Sequence, residues 1–217
     1  MYQVPQITDS VYYVGVNDRM KERFENVWSI PSGVAYNAYL IVDEKTTLID
    51  TVDVCYSDIF FHKLDLILQG CPVDYLIINH MEPDHGGSIG LLRQRYPDMQ
   101  IVGNKKTFDM LSGFHGITTG LHEVKSGDAL RIGSHEFSFL MAPMVHWPEV
   151  MFTYEQSNRL LFSADAFGSF GALSGHIFDS HLTDRQSYLD EMVRYYACVV
   201  GKYGPFVKKA LANIDKQ

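Results

Sequence analysis

Cysteine is scarce in this chain and poorly spaced for chemistry. Cys55, Cys71 and Cys198 are the three among 217 residues, an odd number with no C-x-x-C pair. That excludes a disulfide framework and a thiolate metal cage, and it fits reduced packing residues in a reducing compartment. No apolar run approaches the roughly 18 residues that a membrane-spanning helix requires. The opening Met1-Tyr2-Gln3-Val4-Pro5 has neither the basic nor the apolar segment of a secretory signal, so a cytoplasmic location is expected. Positive charge is also short. Lys and Arg number 18 against 26 Asp and Glu, a net −8, and Lys208-Lys209 is the nearest approach to a basic cluster. This argues against nucleic-acid binding, which needs clustered cations along the phosphate backbone. Low-complexity tracts, repeats and Gly/Ser/Pro-rich linkers are absent too, so residues 1–217 read as one domain. With 46% hydrophobic and 20% charged residues, that domain is globular and has a core.

Strand and helix signals alternate. Val11–Val16 reads as a first strand, and Tyr39–Val42 and Thr47–Asp50 read as a hairpin about the polar turn 43–46. Apolar residues at helical spacing (Phe60, Leu64, Ile67, Leu68) predict a helix from about Ser57 to Gln69, stopped at Gly70. Val73–Asn79 is a strand that runs directly into His80. A helix follows over 89–94, then a strand at Ile101–Gly103 and a short helix around 108–111. Strands with Gly-containing turns are predicted between Leu121 and His146, and another at Arg159–Ser163. A long helix starts at the capping box Thr183-Asp184-Arg185-Gln186 and runs to Val199. Gly201 and Gly204-Pro205 interrupt it before it resumes over 206–214. This mixture predicts sheets covered by helices on the outside.

Histidine, with nine residues, is the richer signal. His80-Met81-Glu82-Pro83-Asp84-His85 places four metal-capable side chains within six residues, directly after an apolar strand. In an extended loop His80, Glu82 and Asp84 would point to one side, with His85 breaking the alternation and so serving a second metal. Pro83 stiffens the loop, and Gly86-Gly87 is expected to turn the backbone tightly into the next helix. His146 and Asp165 each follow an apolar strand as well. Three carboxylates and three imidazoles without a thiolate suit iron, manganese or zinc. Three carboxylates with one bridging hydroxide carry four negative charges, which two divalent ions neutralise. Asp165, coming from another strand, is the natural bridge.

The His80-x-Glu82-x-Asp84-His85 loop with Gly86-Gly87, the segment Ala142-Pro143-Met144-Val145-His146-Trp147-Pro148-Glu149 and the segment Phe162–Gly168 together resemble the flavodiiron proteins. The resemblance runs from Tyr36-Asn37-Ala38-Tyr39 to Gly201-Lys202-Tyr203-Gly204-Pro205. It implies a metallo-β-lactamase-like α+β fold, an αββα sandwich of two mixed β-sheets with helices outside. It further implies two iron ions with a bridging oxo or hydroxo group. His80, Glu82 and His146 would bind one iron and Asp84 and His85 the other, with Asp165 between them. Glu82 stands where the zinc hydrolases of this fold carry His, which marks the branch that reduces dioxygen to water, nitric oxide to nitrous oxide, or both. Tyr195 and Tyr196 are the candidate catalytic residues, and Trp147, Phe167 and Phe170 candidates to line the pocket.

Two departures accompany the resemblance. The family's second iron takes a further His from a Pro-x-His-Gly segment after the last helix, and no His follows His181 here. Neither His176 nor His181 stands in a matching context. The chain is therefore expected to lack the family's last strand and loop. Nor does a Gly/Ser/Thr-rich phosphate loop follow any strand, so FMN is expected only on a separate or missing domain. Electrons would come from a flavodoxin-type or rubredoxin-type donor, in a head-to-tail homodimer. A module that binds O2 or NO without turnover is the alternative, and a zinc hydrolase of the same fold a third. His62, His115, His122 and His135 are expected in solvated or supporting roles, and Met81 and Met144 in the core or pocket wall.

Overall fold

The computed structural model describes residues 4–175 and 177–214. Its first part contains β1 (Val11–Tyr13), β2 (Val16–Asp18), β3 (Arg23–Phe24), β4 (Trp28–Ser29), β5 (Val34–Tyr36), β6 (Tyr39–Ile41) and β7 (Thr47–Ile49). Next come α1 (Ser57–Leu68), β8 (Tyr75–Ile77), α2 (Pro83–Gly86), α3 (Ile89–Arg95), β9 (Gln100–Gly103), α4 (Lys105–His115) and β10 (Leu121–Glu123). The rest comprises β11 (Ala129–Ile132), β12 (His135–Met141), β13 (Met151–Glu155), β14 (Leu160–Phe162), α5 (Arg185–Tyr195) and α6 (Gly204–Ile214).

A six-stranded sheet runs in the order β1-β6-β7-β8-β9-β10 and a four-stranded one in the order β11-β12-β13-β14. Side-chain alternation decides how they pack. In β6, β7, β8 and β9, Leu40, Leu48, Leu76 and Ile101 are register partners in turn and face the helices, meeting Phe60 and Leu64 of α1, Leu92 of α3 and Leu111 of α4. Their neighbours Ile41, Ile49, Ile77 and Val102 point the other way, against Ile132, Phe137, Phe139, Met151 and Phe162 of the second sheet. Burying each such side chain contributes about 1.5–3 kcal/mol. On the far side α6 lies over β12. The αββα layering is thus the one the resemblance implied. Only the first sheet is mixed, with β7, β8, β9 and β10 parallel; β11 to β14 are antiparallel throughout, because short hairpin connections allow nothing else.

Other local expectations shift. The first strand divides into β1 and β2, which join different sheets, because the chain at Gly15 passes so close to Tyr36 that an added Cβ would sit 2.3 Å from its carbonyl oxygen. The last long helix is capped by Asp184, whose carboxylate accepts from the Ser187 N–H at 3.0 Å, not by a Thr183 box. It ends in a π-helical turn over Tyr196–Val200 and a 3-10 turn over Gly201–Tyr203. Among the described residues no helix is long and apolar enough to cross a membrane.

Candidate metal centre

Strand ends from both sheets converge at one rim. His80 follows β8, Glu82 caps α2, and Asp84 and His85 lie within α2. The extended loop expected at 82–85 is therefore a helical turn, with the His85 and Gly86 N–H groups bonded to the Glu82 carbonyl. Gly87 has ordinary right-handed backbone angles (φ −61°, ψ −31°), so it is needed for space and not for turning: an added Cβ would lie 2.5 Å from the Pro83 carbonyl oxygen and 2.8 Å from the Val54 nitrogen. His146 sits in the loop between β12 and β13, and Asp165 just beyond β14. Asp50, Met144 and Ala164 flank these residues with left-handed φ values of 55°, 68° and 46°. For residues with a Cβ that conformation costs about 1–2 kcal/mol, and the surrounding packing holds it.

All six candidate ligands are buried. His80, Glu82, His146 and Asp165 offer ligand atoms that lie within 4.8 Å of one another. Asp165 faces two ways. Its Oδ2 is 3.3 Å from His146 Nε2 and 3.6 Å from His80 Nε2, while its Oδ1 is 2.8 Å from His85 Nε2. Glu82 Oε2 lies 3.1 Å from His146 Nε2 and 3.3 Å from His80 Nε2. Asp84 Oδ2 is 4.0 Å from His85 Nε2, and its Oδ1 is buried without a partner among the described residues. A buried carboxylate oxygen with no donor is costly unless something positive meets it. This donor set fits a metal ion, and its O and N atoms suit iron, manganese or zinc.

The electrostatics point the same way. Burial, with the charges of Asp165 and Glu82 nearby, pushes Asp84 up to about 6. Burial also works against the Glu82 anion, yet His146 and His80 hold it down at about 2. Burial disfavours charge on His80 and His146, but carboxylate partners, Glu149 and Glu82 for one and Asp165 and Glu82 for the other, raise each to about 9. Asp165 falls well below the usual carboxylate range, since three imidazoles overcome its burial.

Three supporting residues carried no assignment from the sequence. Glu149 is 1% exposed, and its Oε1 lies 2.7 Å from His80 Nδ1 while accepting the Met81 N–H at 2.9 Å. That fixes the ring so that Nε2 faces the cluster. Asp50 accepts the Asn79 N–H at 2.7 Å and places its other oxygen 3.6 Å from His85 Nδ1. Asn79 ties the sheets beneath the site, accepting from Thr153 Oγ1 at 2.7 Å and donating to the Phe162 carbonyl at 3.3 Å. The same strand-end position that singled out His146 and Asp165 would have found Asp50 at the end of β7.

The two tyrosines part company. Tyr195 is 5% exposed; burial and the nearby charges of Asp165, Asp84 and Glu82 hold its phenol well above the ordinary range. Tyr196, one residue into the π-helical turn, is 44% exposed and takes no part in the cluster. Successive helical residues point about 100° apart, so adjacent tyrosines cannot both enter one site. Trp147 stands edge-on to His80 at 5.3 Å, and Phe170 packs on Tyr195 at 5.1 Å. Phe167 lines the outer cavity and is 49% exposed. His135, expected at the surface, is buried between Ser10 and Glu155, whereas His62 and His122 are exposed and His115 half-buried. His181 is exposed beside Phe178, away from the cluster, and His176 lies outside the described residues.

Comparison with known proteins identifies the fold and the family. Over 218 aligned residues the chain is 36% identical to a nitric oxide reductase of Moorella thermoacetica, covering 100% of this chain and 54% of that protein. It superposes on the rubredoxin oxygen:oxidoreductase of Desulfovibrio gigas with a TM-score of 0.92 at 31% identity, covering 99% of this chain and 53% of that one. The flavodiiron protein of Giardia intestinalis gives a TM-score of 0.93 at 27% identity, with 100% and 52% covered. The chain thus spans about half the length of these relatives. A family model described as the ODP family beta lactamase matches residues 34–204, and the chain belongs to that family.

Proposed function

We propose that this chain is the two-iron half of an oxidoreductase that reduces nitric oxide, dioxygen or both. The observation that carries the reading is the division of Asp165, with one oxygen toward His80 and His146 and the other toward His85. A carboxylate so placed suits a bridge between two ions about 3.5–4 Å apart. In this reading His80, Glu82 and His146 hold one iron, and Asp84 and His85 the other. The anionic Glu82 supports redox metals over a zinc pair, because added negative charge favours the higher oxidation state. Bound iron would supply the electrons for reduction.

The chain's own groups do the rest. Glu149 orients the imidazole of His80 at 2.7 Å, and the Asp50 carboxylate stands 3.6 Å behind that of His85. Tyr195 keeps its proton at Oη beside Asp165, because burial and the nearby carboxylates disfavour the phenolate. Trp147, Phe170 and Phe24 form the aromatic wall that excludes bulk water. The names of the Moorella and Desulfovibrio relatives support the substrates, and the latter a rubredoxin-type donor. We assign electron supply to an FMN domain or donor protein outside these residues, and a head-to-tail homodimer in the cytoplasm as the working state. Elemental analysis after anaerobic iron loading, followed by turnover of NO and O2 with a reduced flavoprotein, tests the reading. Two irons per chain and sustained consumption are expected. One stoichiometric conversion without turnover would make the chain a binding module, and two tightly held zinc ions with thioester cleavage a hydrolase.

A further inference from the structure

Two cavities meet behind the candidate ligands. The inner one, about 40 Å³, is bounded by Asp84, His85, Asp165 and Tyr195 and closed by the apolar Phe24 and Val34. The outer one, about 200 Å³, opens past Tyr39, Asp50, Ser163 and Phe167. Ala35, Asn37, His85, Ala164, Gly168 and Ser169 line both and so form the neck between them.

Three of those six have polar side chains. Ser169 donates its hydroxyl to the Phe170 carbonyl at 2.8 Å, and His85 directs Nε2 at Asp165 while its buried Nδ1, 3.6 Å from Asp50, makes no hydrogen bond among the described residues. Asn37 differs. Its Oδ1 accepts the Tyr13 hydroxyl at 3.0 Å, and Tyr13 is itself 4% exposed and packed edge-on against Tyr39 at 5.7 Å. An amide held by its oxygen presents its NH2 to the opposite side; Asn37 is exposed and its Nδ2 has no acceptor among the described residues, so that N–H is open to whatever fills the neck. The neck thus carries one oriented, neutral hydrogen-bond donor beside a wall of carboxylates.

The size of the inner cavity limits what that donor meets. A water occupies roughly 10–15 Å³ of such space, so about 40 Å³ has room for the ion that Asp84, His85 and Asp165 would hold and little more, and a guest reaching it through the neck is limited to a molecule of two or three atoms. We propose that Asn37 is a substrate-positioning residue, whose Tyr13-held amide N–H hydrogen-bonds a small diatomic molecule or small anion in the neck, beside the ion that Asp84, His85 and Asp165 would hold. A neutral donor suits this place, because it attracts an electron-rich guest without adding a cation that would pair with Asp84 or Asp165. The inference rests on the metal-centre reading above.

Azide binding to the oxidised, iron-loaded 217-residue chain, followed by absorbance, tests it apart from turnover, with iron content measured on every sample. A hydrogen bond to a charged acceptor is worth enough that Asn37→Ala should weaken azide about tenfold at unchanged iron content. Asn37→Asp, of the same shape but unable to donate, should weaken it further. Tyr13→Phe, which frees the amide to rotate, should cost about threefold on the same scale. Azide affinities within twofold of the parent in both Asn37 variants, with iron fully bound, would overturn the inference and leave the metal-centre reading standing. Loss of iron in Asn37→Ala would overturn it too, since Asn37 would then support ligands and not a guest. A parent chain that binds no iron would overturn both.

Discussion

Glu149 does two things with one carboxylate oxygen: it meets His80 Nδ1 at 2.7 Å and takes the Met81 N–H at 2.9 Å. A carboxylate behind a ligating imidazole makes the ring a stronger donor and fixes its direction, and removing such a partner typically costs 10–100-fold in metal affinity. Glu149→Gln keeps an acceptor and should lose about tenfold; Glu149→Ala should approach 100-fold. Competition against a chelator measures both. The alanine variant also leaves the buried Met81 N–H unpaired, and urea unfolding of the metal-free protein should show a further loss of about 1–3 kcal/mol. The candidate ligands were legible because they crowd into three short motifs at strand ends. Glu149, Asp50 and Asn79 were not assigned, because each matters through a contact with a residue 29 to 83 positions away; of the three, Asp50 alone had a local signal, its place at the end of β7.

Elements were legible where alternation or helical spacing was strong, as in β6 to β9 and α1. They were misjudged where a contact or cap decides. α4 proved to be eleven residues because Asn104 caps it, accepting from the N–H groups of Lys106 and Thr107, a signal passed over in favour of the apolar residues at 108–111. The turn between β13 and β14 offers a test of such local locks. Glu155 is buried and accepts from the Ser157 N–H at 2.9 Å, the Asn158 N–H at 2.8 Å and the Asn158 side chain at 3.1 Å, with His135 at 3.0 Å. Burial opposes its charge, but these partners hold its carboxyl below the ordinary range. A carboxyl depressed by folding stabilises above its unfolded value, about 4.3, and that contribution disappears as pH falls through the folded value. The stability advantage of the parent over Glu155→Gln should therefore be full at pH 7, begin to shrink near pH 4 and be gone in stronger acid. Thermal melts at stepped pH read this directly. Just after α2, Gly87→Ala forces a Cβ against the Pro83 carbonyl and should cost about 1–3 kcal/mol in urea unfolding. It should also weaken metal binding, since the same turn carries Asp84 and His85.

At the scale of the molecule, the two sheets are held together by the apolar layer of Ile41, Ile49, Ile77, Phe137 and Phe139, and at one rim by the candidate metal centre. Four of the candidate ligands come from the segment after β8 in the first sheet, and two from the ends of β12 and β14 in the second. Without a cation, three buried carboxylates lie together there, and burial, with the charges of Asp165 and Glu82, pushes Asp84 up to about 6. A metal bound in this position relieves that repulsion and ties the sheets together, and it has no preformed site in the unfolded chain. Free metal at 100 times its dissociation constant should therefore stabilise the fold by about 2.7 kcal/mol. For a chain of this size that is an upward shift of about 5–10 °C in the melting temperature, measurable by calorimetry with and without a chelator. Asp165→Asn separates the bridge from simple surface binding. The amide keeps the shape but loses the charge that faces both His85 and the His80–His146 pair, so most of the metal-dependent shift should vanish. A shift in that variant as large as the parent's would mean that the metal sits elsewhere and does not join the two sheets.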